Sequence, residues 1–504
     1  MNILKQFATD MVRGVAKEAK ETFKFRKGTN TQTEEEHSRK QTRMVKFKGA
    51  SFSTVPGLLG RKKVQFRASD YRHKMVFGST GSGKTELAKN IVISKTKRGE
   101  GICYIDNADG ESIRDIINTL PTQQLNEIIL LDHSDKYNPL PVGYMESTGD
   151  VFQDDIIVNQ WVSFFISNFG IEDQFMTQEL LVNACKAVFA TKGSTVLDIV
   201  YFIQNYSFRS HLLAHLDSRQ HKDVINYWKY FASQSDGQKQ QITASLLRRT
   251  GMLFRDKFLK YTLGQVPKNP LNYRKWIDEG KTVLINVPES LGKQAVKIVV
   301  SLHILGFWRA ALSRDNISQE YRKPFNIIAD EPQSWLGNNA DLVDDIFSKA
   351  RKYHLGLTCM FQSVKQVQKE SKVLLDIMLD NEPDIIVFQT TKSQLNTLGI
   401  DQYNKQLPKW NFYFKSREEQ FTAKALKPII PSYNNYQRVD EKSKKTYNKR
   451  YQQVEKEIEG RILKWQNMEG RKSRSHKSGS KIPVSQESPK GIKKSSGSSM
   501  RIDW

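Results

Sequence analysis

Residues 78–85 read Gly78-Ser79-Thr80-Gly81-Ser82-Gly83-Lys84-Thr85, a complete G-x-x-x-x-G-K-[ST] phosphate-binding loop. The flanks decide whether such a match carries weight. Before it lies the short apolar run Lys74-Met75-Val76-Phe77, which reads as a buried strand. After it, Glu86-Leu87-Ala88-Lys89-Asn90-Ile91-Val92-Ile93 reads as a helix. A glycine-rich turn matching by accident would have neither flank. In this setting the glycines let the backbone wrap a phosphate without Cβ clashes. The amide N–H groups converge on the anion, and the helix N-terminus stands behind them. Lys84 supplies a mobile positive charge for the β- and γ-phosphates, and the Thr85 hydroxyl is placed to ligate Mg²⁺. The loop predicts a chain that binds ATP with Mg²⁺.

Outward from the loop the pattern is α/β. Gly101-Ile102-Cys103-Tyr104-Ile105-Asp106 is a buried strand ending in an acid, and Glu127–Asp132 is a second. From about 150 to 255 helical periodicity takes over almost throughout, which predicts an all-helical insertion. Strands return at Thr282–Val287, Phe325–Asp330, Leu355–Phe361 and Asp384–Gln389, and end with aromatic strands around Trp410–Phe414. Strands alternating with helices predict a mostly parallel central sheet covered on both faces. Arg43–Ser53 and Lys62–Arg67 read as strands leading into it.

The domain plan is therefore a basic amphipathic helix and linker (1–42), a first part of the nucleotide domain (43–149), the insertion (150–255), a second part (256–438), a charged helix (439–469) and a disordered basic tail (470–504). Ile3, Leu4, Phe7, Met11 and Val15 share one face of the first helix. That face suits either a membrane interface or packing on its own domain.

The 504 residues carry 78 Lys+Arg against 54 Asp+Glu, a net of +24. The charge sits at the ends: +11 over 1–76 and +10 over 441–504, leaving +3 for the body. Such ends suit a polyanionic partner, nucleic acid or an acidic membrane surface. The three cysteines, Cys103, Cys185 and Cys359, are scattered without ligand spacing and read as buried thiols of a reducing compartment. No stretch reads as a signal peptide. The most apolar run, Ile298–Leu312, is interrupted by Ser301, His303 and Arg309 and reads as too short and too polar to span a bilayer. The reading is a cytoplasmic protein, with peripheral contact at the inner membrane face through the first helix.

Binding alone is not hydrolysis, which needs a metal-side acid and a group that activates water. Pro324-Phe325-Asn326-Ile327-Ile328-Ala329-Asp330-Glu331 is an apolar strand ending in both. Asp330 would hold Mg²⁺ and Glu331 would polarise the attacking water. Gln362, after the strand Gly356–Phe361, is placed to sense the γ-phosphate or to position the attacking water. Arg351, with Arg314 as the weaker choice, is the candidate for an arginine contributed by a neighbouring subunit.

The order of these pieces resembles the HerA–FtsK superfamily of DNA-pumping ATPases, and within it the TraG/TraD-type coupling proteins of type IV secretion and conjugation. The likeness runs from about 43 to 430. It rests on Gly78–Thr85, Ile105-Asp106, Asn138-Pro139-Leu140, the helical insertion, Leu284-Ile285-Asn286-Val287, Asp330-Glu331, Ala350-Arg351-Lys352-Tyr353 and Gln362. The resemblance implies a RecA-like P-loop core, a homo-hexamer around DNA bound without sequence preference, and ATP sites between subunits. It assigns catalysis to Lys84, Glu331 and Gln362, Mg²⁺ to Thr85 and Asp330, and the trans-acting role to Arg351. The sequence departs from the family at Asp106-Asn107, where an Asp-Pro is common. A DNA translocase for conjugative transfer is the leading expectation. Viral genome packaging, a HerA-like repair role, and a nucleotide-gated cargo receptor with little DNA pumping are the alternatives.

Overall fold

The computed structural model describes residues 50–57, 60–66, 71–145, 147–336, 340–400 and 407–461. The expected N-terminal amphipathic helix, its linker and the basic tail lie outside these residues.

Thirteen strands occur among the described residues. In chain order they are β1 (Ala50–Gly57), β2 (Gly60–Phe66), β3 (Lys74–Phe77), β4 (Gly101–Asp106), β5 (Ile128–Asp132), β6 (Tyr144–Met145) and β7 (Ser194–Thr195). They continue with β8 (Thr282–Asn286), β9 (Phe325–Asp330), β10 (Leu355–Phe361), β11 (Asp384–Val387), β12 (Asn411–Lys415) and β13 (Gln420–Ala425). Eleven form one sheet in the order β2-β1-β13-β12-β11-β3-β10-β9-β4-β8-β5. From β11 to β5 every pairing is parallel. From β11 to β2 every pairing is antiparallel. The mostly parallel sheet is as expected.

Alternation along the parallel strands divides the core. Ile102, Tyr104, Leu284, Ile328 and Met360 face one side, where Leu87, Ile91 and Val92 of helix Lys84–Lys97 and Ile113 and Ile116 of helix Glu111–Thr119 cover them. Cys103, Ile105, Ile285, Ile327 and Cys359 face the other, under helix Lys293–Leu312. Strands buried on both faces need apolar residues at every position, which is why these runs were conspicuous.

Several expectations are corrected. The helix holding Ile298–Leu312 begins at Lys293 and runs for 20 residues. By length and composition it could cross a membrane, yet 83% of its most apolar window is buried inside the protein. It is the central core helix, which the interrupting polar residues had made look shorter. His303, one of them, is fully buried: its Nε2 lies 2.9 Å from His133 Nε2, and its Nδ1 2.8 Å from the Tyr273 hydroxyl.

The segment 150–255 is built of helices, among them Val151–Phe169, Phe175–Phe189 and Val196–Gln204. It is not wholly helical: β7 pairs with β6 just before it, tying the insertion to its point of departure. Of the strand expected at 43–53, residues 43–49 lie outside the described residues and 50–53 fall in β1; of the one expected at 62–67, residues 62–66 fall in β2, and the two form an antiparallel pair continuing the sheet beyond β13.

The single charged helix expected from 439 is two helices, Tyr436–Tyr447 and 451–461, divided by an extended Asn448. The break is held from outside: Asn448 Nδ2 donates to the Asn138 carbonyl, and Lys268 Nζ donates to Asn448 O at 3.1 Å. All three cysteines are free and buried, and burial pushes each thiol up, as a reduced core thiol requires.

Candidate active site

The parallel strands all end at one sheet edge, and the phosphate loop leaves β3 there, in the middle of the sheet. Gly78 N donates to Phe361 O at 3.2 Å, stitching the loop's start to the end of β10. Gly81 (φ 75°) and Gly83 (φ 116°) take left-handed backbone that a side chain would strain. The loop is also crowded from outside. A Cβ at Gly78 would lie 2.8 Å from Phe388 Cβ, and one at Gly83 would lie 2.8 Å from Trp410 Cε3. Glycine is required for both reasons.

Helix Lys84–Lys97 starts at Gly83 with no side-chain cap. Its first amides are left for an anion, backed by the positive end of the helix dipole. Ser82 Oγ is buried without a hydrogen-bond partner among the described residues. Lys84 is buried, and its Nζ donates to Gly78 O at 2.6 Å, folding the ammonium back over its own loop. Burial lowers its pKa, opposed by Asp330 and Glu331. A cation leaning on its own loop's carbonyls, Gly78 O and, at 3.5 Å, Ser79 O, is ready to exchange them for phosphate oxygens.

Asp330 ends β9, one strand beyond β10. Burial pushes its carboxyl up to about 7 against the pull of Lys84, and Asp106 and Glu331 push it further. Glu331 follows with φ 47°, an uncommon backbone for a residue with a side chain, and its N–H donates to Met360 O at 3.0 Å. This twist turns the carboxylate toward β10, where Gln362 Nε2 donates a short hydrogen bond to Glu331 Oε1. Gln366 Nε2 in turn donates to Gln362 Oε1 at 3.2 Å. Lys84, Asp330, Glu331 and Gln362 are thus brought to one place, with Thr85 half-buried in the first turn beside them.

Two further residues join them. Asp106 ends β4 beside β9 and shares its face with Asp330, since Ile105 registers with Ala329. Burial pushes Asp106 up to about 6, and Asn107 Nδ2 donates to Asp330 O at 3.1 Å. The signal available in sequence was an acid at the C-terminal end of a parallel strand, but which strand lies beside β9 is a tertiary fact.

The arginines lie elsewhere. Arg351 is exposed on the turn Ala350–Tyr353, before the start of β10. That is the sheet edge opposite Gln362, about 20 Å away along the strand. Arg314 is no finger: it is buried, donating to Tyr353 O and Lys323 O at 2.9 Å, with Asp278 3.2 Å from its Nε. It ties helix Lys293–Leu312 to β9 and β10.

A cradle that a Cβ at Gly78 or Gly83 would fill, uncapped amides, one retractable cation and two carboxylates fit a nucleoside triphosphate with a divalent cation. Gly78–Thr85 would hold the phosphates, and Thr85 and Asp330 the metal.

No protein-family model and no curated protein matches the sequence. Solved structures share its fold. One is the bacterial conjugative coupling protein TrwBdeltaN70 in an unbound form, 17% identical over 77% of this chain and 91% of that one, with a TM-score of 0.51. Another is plasmid coupling protein TrwB with ADP and Mg²⁺, 16% identical over 72% and 87%, TM-score 0.50. A third is TrwB with the ATP analogue ADPNP, 16% identical over 77% and 95%, TM-score 0.50. The chain has the RecA-like α/β fold of these coupling proteins; at such identities the likeness is one of fold.

Proposed function

We propose that the chain is an ATP-hydrolysing motor of the type IV secretion and conjugation kind, working as a DNA translocase on the cytoplasmic side. The observation that carries the reading is the meeting of the phosphate loop with Asp330, Glu331 and Gln362 at one sheet edge, in a fold shared with a coupling protein solved with ADP and Mg²⁺. MgATP would supply the phosphoryl group and the charge neutralisation of its transfer. The chain's own residues do the positioning. The loop amides and Lys84 grip the phosphates, and Glu331 takes the proton of the attacking water. Gln362 fixes the Glu331 carboxylate from the side, and burial around Asp330 and Lys84 keeps bulk water from screening them.

The DNA part of the reading draws on the +24 net charge and its concentration at the two ends. Phosphate contacts made by such ends are indifferent to sequence and weaken steeply with salt.

The test is the ATPase rate with and without DNA, at low and moderate salt, for the full chain and for Glu331→Gln. We expect DNA to raise the rate, salt to erase that rise, and Glu331→Gln to bind ATP while turnover falls at least about 100-fold. A rate indifferent to DNA at every salt concentration would sink the translocase and leave an ATPase that recruits cargo.

A further inference from the structure

The described catalytic groups stand on one side of the phosphate loop, at the ends of β9 and β10. On the other side, beyond β11, stands Trp410, and nothing in the reading above uses it. Its backbone is left-handed, φ 71°, which for so bulky a residue is a rare and strained state. Two bonds hold it there: Ala425 N donates to Trp410 O at 2.8 Å, and Asn411 N donates to Pro408 O at 3.0 Å, fixing the turn that enters β12. The ring meets the loop by its benzo edge, with Cε3 and Cζ3 2.8 and 3.3 Å from where a Gly83 Cβ would stand. Lys409 Nζ lies over the ring, 5.4 Å from its centroid. The indole is only half-buried, and its Nε1 makes no hydrogen bond among the described residues. Strain, a half-buried indole and contact with the phosphate loop are thus combined in one residue.

The direction of the ligand follows from the sheet. The terminal phosphate must point toward Asp330 and Glu331 on β9. The nucleoside therefore leaves the loop on the opposite side, toward β11 and β12, which lie one and two strands beyond β3, about 5 and 10 Å. We propose that Trp410 is the platform on which the base of the bound nucleoside triphosphate stacks. Stacking reads a π-face rather than a hydrogen-bond pattern, so the platform accepts any nucleobase and grips purines more firmly than pyrimidines. This proposal rests on the phosphate-loop reading and adds the nucleoside half of the site.

The test separates the two halves by using inorganic tripolyphosphate, which has no base, beside ATP, both with Mg²⁺. Equilibrium binding is measured for the wild type, Lys84→Ala, Trp410→Ala and Trp410→Phe. Trp410→Ala is expected to weaken ATP binding about 10- to 100-fold, the range of a lost base–aromatic stack, with tripolyphosphate binding unchanged. Trp410→Phe is expected to keep ATP binding within a few-fold of wild type. Tryptophan fluorescence should be quenched by ATP and not by tripolyphosphate, and that quench should vanish in Trp410→Phe, a correctly packed variant. Equal weakening of both ligands in Trp410→Ala, with no base-dependent quench, would reduce Trp410 to a brace for the loop and overturn the platform. Tripolyphosphate binding that survives Lys84→Ala would overturn the phosphate-loop reading itself, and the platform with it.

Discussion

Asp330 places its carboxyl where the surroundings resist charge. Its folded pKa, about 7, stands above the ordinary carboxylate value of 3.8, so the folded chain keeps a proton that the unfolded chain releases between those values. The stability this group contributes is therefore present at low pH and lost as pH rises through 7. Asp330→Asn removes the conflict. In urea unfolding we expect the variant to exceed the wild type at pH 8 by about 1–3 kcal/mol, an advantage that shrinks as pH falls below 7 and is gone only near pH 3.8. Equal stability at pH 8 would mean the carboxylate is well solvated. The residues of the loop and the Asp330-Glu331 pair were legible because each motif is local, its chemistry set by neighbours within eight positions. The hydrogen bond from Gln362 to Glu331 was not, since it joins residues 31 apart through the pairing of β9 with β10.

Among the elements, helix Lys293–Leu312 bears most directly on the sheet's second face. Its Gly306 faces the Tyr273 ring so closely that a Cβ would lie 2.5 Å from Tyr273 Cε2. Gly306→Ala gains helix propensity but overpacks this contact, and Tyr273 is also held by His303 at 2.8 Å. We expect a net loss of about 1–3 kcal/mol in urea unfolding, against the gain an exposed helical glycine would give. A gain in stability would show that Tyr273 yields freely. The sequence marked this stretch as the most apolar of the chain yet misjudged its reach, because Ser301, His303 and Arg309 look like interruptions until their buried partners are known. Arg309 stacks on Trp161 at 4.4 Å and donates to Gln160 at 2.9 Å. β13, by contrast, was missed: Gln420–Ala425 alternates exposed and buried positions with few large apolar groups, as an antiparallel strand does.

At the scale of the whole molecule, the sheet separates Arg351 from the site in its own chain. An arginine exposed beyond the opposite sheet edge can serve catalysis only at the site of another copy. Mixing Glu331→Gln subunits with Arg351→Ala subunits is therefore expected to restore part of the ATPase activity that each lacks alone, since a site with its own Glu331 then meets an intact Arg351 from its neighbour. No recovery at any ratio would remove Arg351 from catalysis.

By itself the sequence determined the phosphate loop, the Asp330-Glu331 pair and the parallel strands that carry them. These depend on short-range spacing and on continuous apolar runs, which a chain displays without being folded. Only the tertiary structure decided which strand ends are neighbours, and so that Asp106 and Asn107 stand beside Asp330. It alone put Trp410 against Gly83, across 327 residues of chain, and Arg351 at the far edge. Strand order is set by how apolar faces are covered and how crossovers close, and that information is shared among distant segments.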